Sequence, residues 1–172
     1  KETERIIRSQ KFVSKVNISE ELAGTGNDSI DVTIRVLDAW SLLPKFSISS
    51  SRVGIGFNDR NILGTGQQLE YKFTNRFADG HNGHDALYTI PNIKNTFIST
   101  KFKYYNDLDD NYIKSISMER PFYSPLAKWA GGITLGQQFR RDTLQNATLK
   151  YEHQPFKYNS HDFWGAIAFN IS

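Results

Sequence analysis

The sequence predicts a mainly β protein: an antiparallel up-and-down meander that is part of a transmembrane β-barrel and follows a separate β-hairpin. The chain contains repeated runs in which apolar and polar residues alternate, as they do in strands. These runs span about 9 to 11 residues, the length of a tilted membrane strand rather than the usual 5 to 6 of soluble sheets. Aromatic residues make up 13% of the chain although its hydrophobic fraction is only 38%. A barrel with a polar interior needs this composition.

Composition and charge exclude several classes of protein. The 21 Lys and Arg residues are scattered and face 18 Asp and Glu residues, so the charge does not favour nucleic acid as a partner. The chain contains no cysteine, which excludes disulfides, thiolate catalysis and cysteine zinc sites. No run of about 18 apolar residues occurs, so no membrane helix is predicted. We interpret the start at Lys1 as the result of processing or trimming, which is compatible with the removal of a signal peptide.

The first forty residues predict a small unit of their own. Residues 1–10 suit a short helical turn, and residues 12–18 and 30–36 suit two strands of a hairpin joined through residues 23–28. This hairpin has an apolar face that needs a covering element, formed by Ile30, Val32, Ile34 and Val36. Because Pro44 cannot donate to a strand ladder, we place a domain boundary near it, giving units of residues 1–40 and 41–172.

Two strands joined by a tight turn at residues 61–66 follow this boundary. In the second strand Leu69, Tyr71 and Phe73 point to one side, since successive side chains alternate between faces. The other side is polar or charged and carries Gln68, Glu70, Lys72, Thr74 and Arg76. A soluble sandwich would turn the apolar side to a core, whereas a membrane barrel would turn it to lipid and its polar side to a wet lumen. Periodicity alone leaves both alternatives open.

The later runs, at residues 96–105, 112–120, 129–139 and in the tail, continue the pattern to about six strands from residue 45 onward. Residues 78–85 and 158–162 are predicted as long polar loops, with short turns at the opposite end. The predicted lipid-facing residues are Leu69, Tyr71, Phe73, Ile98, Phe102, Tyr104, Ile133 and Leu135. The predicted lumen-facing residues, which would also suit an exposed sheet face, are Glu70, Lys72, Arg76, Lys101, Lys103 and Glu119.

The sequence favours neither a metal site nor an enzyme. His81, His84 and Asp85 have a spacing that could bind a metal, but no third ligand is fixed by it, so we favour a solvated loop. Residues 106–111 resemble half of a calcium loop without its glycine and distal glutamate, which favours a turn. No Gly-x-Ser-x-Gly motif is present. We therefore predict no catalytic residues, no metal and no cofactor.

Three stretches resemble the surface-antigen family of bacterial outer-membrane barrels. Residues 59–67, DRNILGTGQ, are similar to the opening hairpin of that family, and residues 88–93 and 120–125 resemble segments between early strands of its Bacteroidetes-like members. The resemblance implies that residues 1–40 are the end of a periplasmic POTRA module. It also implies that residues 41–172 are the first strands of a barrel of about sixteen strands, closed by pairing the first strand with the last. The chain would then be a fragment.

This resemblance implies a function in assembling or translocating other outer-membrane proteins. The expected mechanism uses an early strand, residues 53–58, as an edge that templates client strands through Val53, Ile55 and Phe57. The expected partners are outer-membrane lipid, client barrel proteins and periplasmic accessory proteins, with no nucleic acid. The expected location is the bacterial outer membrane, with the N-terminal part in the periplasm. The alternative is a self-contained soluble β-barrel or sandwich that binds an apolar ligand or a protein. A hydrolytic or metal enzyme using His81, His84 and His161 ranks last.

Overall fold

The N-terminal unit consists of one short helix and a hairpin. The computed structural model describes residues 2–22, 29–145 and 150–169, so the predicted turn at 23–28 lies outside them. Helix α1 (Glu2–Arg8) packs against β1 (Val13–Leu22), which pairs antiparallel with β2 (Ile30–Asp38) in a two-stranded sheet. Val16 on its apolar face is buried, whereas Val32 is 56% exposed. The predicted hairpin is confirmed, and much of its apolar face is uncovered in the described structure.

The rest of the described chain forms one antiparallel meander in which every strand pairs with its neighbours in sequence. This confirms the predicted mainly β, up-and-down fold. The strands in chain order are β3 (Leu42–Ile48), β4 (Arg52–Asp59), β5 (Gln68–Arg76), β6 (Asn82–Ile90), β7 (Ser99–Asn106), β8 (Tyr112–Arg120), β9 (Trp129–Gln145) and β10 (Tyr151–Ile167).

The sheet has eight strands among the described residues, two more than the sequence predicts. Strand β3 runs through Pro44, and β6 begins inside the predicted loop 78–85. The predicted loop 158–162 is also wrong, because it lies within β10. Strand β6 lacks a clean alternation since it carries polar residues on both faces, and pairing with β5 and β7 decides its conformation. Strands β3 to β8 span 7 to 9 residues, and β9 and β10 span 17 each.

Longer and shorter connections lie at opposite ends of the sheet. Residues 60–67, 91–98 and 121–128 form the longer connections, at the end where the chain enters from the hairpin. Residues 49–51, 77–81 and 107–111 form the shorter turns. The predicted distribution of long and short connections is therefore wrong, because residues 77–81 form one of the shorter turns and residues 60–67, predicted as a tight turn, form one of the longer connections. Strands β9 and β10 continue past the last β8 pair, Tyr112 with Phe139, on the short-turn side.

Two of the longer connections are copies of one turn. In the first, Asn61 Oδ1 accepts a hydrogen bond of 2.7 Å from the Gly66 N–H, and in the second Asn92 Oδ1 accepts one of 2.9 Å from the Phe97 N–H. Both contain a single 3₁₀ turn, and both end with a threonine hydroxyl donating to the carbonyl three residues earlier. Gly66 and Phe97 have φ of 75° and 61°, a conformation that is costly for phenylalanine. The β4–β5 and β6–β7 hairpins are thus closed in the same way.

Candidate functional site

The apolar face of the eight-stranded sheet is the first candidate site. Residues directly opposite in adjacent strands share a face, and the register joins Leu69, Tyr88, Phe102, Ile116 and Leu135 in one continuous series. The same face carries four more of the predicted lipid-facing residues and lacks one. Tyr71, Phe73, Tyr104 and Ile133 lie on it, whereas Ile98 precedes β7 in the connection 91–98.

No second layer covers this face among the described residues. Ile55, Phe102 and Ile133 are 53%, 43% and 47% exposed. The buried apolar side chains in the described part of the chain are only Val16, Ala127 and Ala130, none of which lies on the apolar face of the sheet. An exposed apolar surface of this extent marks contact with a partner or with lipid.

The apolar residues form a band that crosses the strands obliquely. One row of direct partners runs from Phe46 on β3 to Lys157 on β10 through all eight strands without a register shift. Toward the short turns, the uninterrupted series of apolar residues ends at Ile48 on β3, two residues above this row, but at Phe163 on β10, six residues below it. Separate apolar or aromatic residues lie above the end of this series on β8 to β10, at Tyr112, Phe139, Pro155 and Tyr151. The upper limit of the band falls gradually across the sheet, at Ile48, Val53, Phe73, Ala86, Tyr104, Ile116, Leu135 and Phe163.

Polar residues mark this upper limit on the same face. The next residue upward on the face is polar on each of strands β5 to β10, at Asn75, His84, Asn106, Lys114, Gln137 and His161. From β3 to β10, which are seven strand spacings apart, the upper limit of the band shifts by eight residues along the strand direction. The band is therefore an inclined stripe, not a patch that follows the hydrogen-bonded rows.

The opposite face carries the charged residues that the sequence predicts to face the lumen. Lys101 and Glu119 form an ion pair of 2.8 Å between β7 and β8. Lys45 on β3 reaches Glu70 on β5 at 3.4 Å, which is two strands away. It crosses β4 at Gly56, its direct partner, because this position has no side chain. All six predicted lumen-facing residues share this polar face in the register.

Glycines Gly54 and Gly56 let the sheet bend toward its polar face. A Cβ added at Gly56 would clash with the Tyr71 carbonyl oxygen and lie 3.0 Å from Lys72 Cα. Both glycines are buried although their neighbours Val53 and Ile55 are exposed. Close backbone approach at interior glycines is a common cause of sheet curvature. At β4 and β5 the missing side chains therefore permit the sheet to curve toward its polar face.

The second candidate site is an open strand edge, and its predicted location is wrong. Strand β4 pairs with β3 on one side and β5 on the other. The Phe77 N–H donates to the Ser51 carbonyl, and bonded pairs alternate along an antiparallel ladder. The backbone groups of Val53, Ile55 and Phe57 are therefore bonded to β5. The sequence predicts the edge at this strand because Pro44 indicates a boundary there, whereas β3 runs through Pro44.

Strand β3 forms the edge instead. The Arg60 N–H donates to the Ser41 carbonyl and the Ser49 N–H to the Arg52 carbonyl, so the odd-numbered residues of β3 bond to β4. The backbone groups of the even-numbered residues face the open side, at Leu42, Pro44, Phe46 and Ile48. Pro44 lacks an N–H and occupies one of these outward positions, which is where an edge strand tolerates proline.

The candidate metal ligands do not come together. His84 lies in β6, where its Nδ1 is 2.9 Å from the Tyr71 hydroxyl, and His81 lies in the turn 77–81 with its Nδ1 2.9 Å from the Leu108 carbonyl. His161 lies in β10, far from both along the sheet. Within residues 2–22, 29–145 and 150–169, no group of three His, Cys, Asp or Glu residues could hold a metal ion. No described helix is long and apolar enough to cross a membrane.

The comparison with known proteins finds similarity among solved structures. No family model matches this chain, and no curated protein does. Among solved structures, the chain is similar to the crystal structure of BamA from Haemophilus ducreyi lacking POTRA domains 1–3, with 15% sequence identity and a TM-score of 0.48. The match covers 94% of this chain and 36% of that one. The chain thus spans little more than a third of the length of the structure that it matches.

Proposed function

We propose that the eight-stranded sheet is part of the wall of a transmembrane β-barrel in the bacterial outer membrane. Its apolar face contacts lipid, and its polar face lines the lumen. The inclined apolar band is the observation that carries this proposal. A membrane requires such an incline because the strands of a barrel cross the lipid at a tilt while the apolar layer stays level.

The incline of the band has the magnitude that a membrane barrel needs. Eight residues along a strand correspond to about 27 Å, and seven strand steps correspond to about 34 Å, from a rise of about 3.4 Å and a strand spacing of about 4.8 Å. The ratio of these lengths gives a tilt of about 40°, within the 35 to 45° of membrane barrels. The residue pattern therefore indicates the tilt at which the strands would cross the membrane.

The soluble alternative lacks a covering layer. A sandwich or closed soluble barrel buries its apolar side chains in a shared core. In the described part of the chain these side chains remain exposed, and the sheet is open between β3 and β10. Lipid would cover the whole of the exposed face, because the band extends over all eight strands, whereas a small apolar ligand would cover only part of it.

We further propose that β3 templates the strands of client barrel proteins. An unpaired edge offers backbone donors and acceptors for strand addition, and β3 presents such groups at Leu42, Phe46 and Ile48. The role in assembly follows the family resemblance of residues 59–67. In this proposal residues 1–40 are POTRA-like and lie in the periplasm, where accessory proteins would bind. They lead directly into this edge.

Replacing Phe46 with proline in the full-length protein tests the role of the edge. Phe46→Pro removes an outward N–H and leaves the bonds of β3 to β4 in place, so client barrels should decrease in the outer membrane while the variant protein itself persists. Phe46→Ala is the matched control, since it removes the side chain but keeps the N–H. Unchanged client levels in Phe46→Pro, or equal losses in both variants, would rule out templating by the β3 backbone.

A further inference from the structure

A set of cations lies on the apolar face of the sheet, above the apolar band toward the short turns. Lys114 lies two residues above Ile116, and Arg141 and Lys157 lie six residues above Leu135 and Phe163, where the uninterrupted apolar series of these strands ends. On strands β7 to β10 this part of the face carries no Asp or Glu. The nearby carboxylates Asp142, Glu152 and Asp162 all occupy the polar face. On strands β7 to β10 the carboxylates are therefore confined to the polar face.

Aromatic rings hold two of these cations in place. Lys114 Nζ lies 5.7 Å from the ring centre of Tyr104 and 4.9 Å from that of Tyr112. The Tyr112 ring stacks on Phe139 with centres 5.5 Å apart, and the guanidinium of Arg141 lies 5.5 Å from the Phe139 ring. We call Tyr104, Tyr112, Lys114, Phe139 and Arg141 the aromatic-cation array. Cation–π contacts orient these charges without neutralising them.

Carboxylates do little to neutralise the array. Arg141 is 3.9 Å from Asp110, at the limit of an ion pair between two exposed side chains, and such pairs are weak. Neither Lys114 nor Lys157 forms an ion pair with any residue that the structure describes. Their charges remain available for an anionic ligand.

We propose that this surface binds the headgroup of a phosphorylated glycolipid, a conclusion that rests on the proposed membrane orientation. At the tilt of the band, Lys114 stands about 5 Å above the apolar layer and Arg141 about 16 Å above it, from the strand rise. A phospholipid headgroup layer is only about 5 to 8 Å deep. It reaches the level of Lys114 but not that of Arg141. A sugar headgroup that carries phosphates extends to both levels, and arginine and lysine both bind phosphate.

The test uses the chain in phosphatidylcholine nanodiscs, titrated with a diphosphorylated glucosamine-disaccharide lipid. Affinity is read from energy transfer between tryptophan and a labelled acyl chain. Lys114→Gln with Arg141→Gln should lower the affinity about thirty-fold, about five-fold for each cation lost near the surface. The matched control is Lys103→Gln with Arg140→Gln, which removes the same charge from adjacent positions on the polar face. The control should change the affinity less than about two-fold, since these residues face away from lipid.

Each other outcome overturns a defined part of the reasoning. Equal losses in the two double variants, or no loss in either, would overturn the site. Phosphatidylglycerol binding as tightly as the glycolipid would overturn the extended headgroup. A wild-type chain that does not enter phosphatidylcholine nanodiscs would overturn the proposed membrane orientation itself, and this separate readout distinguishes the two failures.

Discussion

Replacing Ile133 with arginine should destabilise the membrane-inserted chain by about 2 to 4 kcal/mol, the cost of arginine on the lipid face of a barrel near the bilayer midplane. The apolar band on β9 extends from Leu135 to Trp129, so its midpoint falls at position 132. Ile133 is one residue from this midpoint, a height of about 3 Å at the tilt of the band. If the same face were in water, Ile133 would be a 47% exposed surface residue, and its replacement by arginine would change the free energy of unfolding by no more than about 0.5 kcal/mol.

Thr134→Arg is the matched control for this prediction. Thr134 follows Ile133 in the strand and lies on the polar face opposite Asp162, so an arginine there should cost less than about 1 kcal/mol. Urea unfolding in phosphatidylcholine vesicles, followed by tryptophan fluorescence, measures the free energy of unfolding of both variants. Equal changes in the two variants would refute the assignment of the two faces.

Two further predictions concern the curvature of the sheet and the short turns. Gly56→Ala should destabilise the chain by about 1 to 3 kcal/mol because its Cβ would clash with backbone atoms of β5. The control Gly165→Ala has no atom within 4 Å of the added Cβ, so it should change the free energy of unfolding far less. Equal changes in the free energy of unfolding would contradict the close approach of β4 and β5 as the cause. Hydrogen bonds from the Arg76 guanidinium and then from the His81 N–H lower the pKa of Asp79 to about 2, from an ordinary value of 3.8. The stabilisation from this ionised carboxylate is present above pH 3.8 and is lost as the pH falls through 2. NMR titration of Asp79 should therefore give a midpoint near 2, which should rise toward 3.8 in Arg76→Gln. An unchanged midpoint in Arg76→Gln would contradict the assigned cause.

Sequence periodicity predicts the strands that have one apolar and one polar face. Strand β5 alternates cleanly between Leu69, Tyr71 and Phe73 and its charged residues, and the register confirms this assignment. Strand β6 was not predicted because apolar Leu87 lies on the polar face and polar His84 lies on the apolar face. Its neighbours on both sides supply the pairing that its own residues do not indicate.

The candidate sites could be predicted only in part. The shared face of the lipid-facing residues follows from alternation within each strand, but the incline of the band depends on register between strands, which a single sequence does not give. The edge was misplaced because Pro44 indicates a boundary and its outward position becomes clear only from the ladder. The duplicated turn left a readable signal, since Asn-Ile-x-x-Thr occurs at Asn61 and again at Asn92.

The most direct test of the inclined membrane band is a single-cysteine scan with spin labels in lipid vesicles. The chain contains no cysteine, so each label reports one position, and power saturation by oxygen and by a nickel complex measures its depth in the bilayer. We predict that labels at Ile48, Phe73, Tyr104 and Phe163 share one depth, and that labels at Phe46 and Lys157, which lie in one hydrogen-bonded row, report lipid and water respectively. Depths that follow the hydrogen-bonded rows, or equal water access on both faces, would contradict the transmembrane orientation.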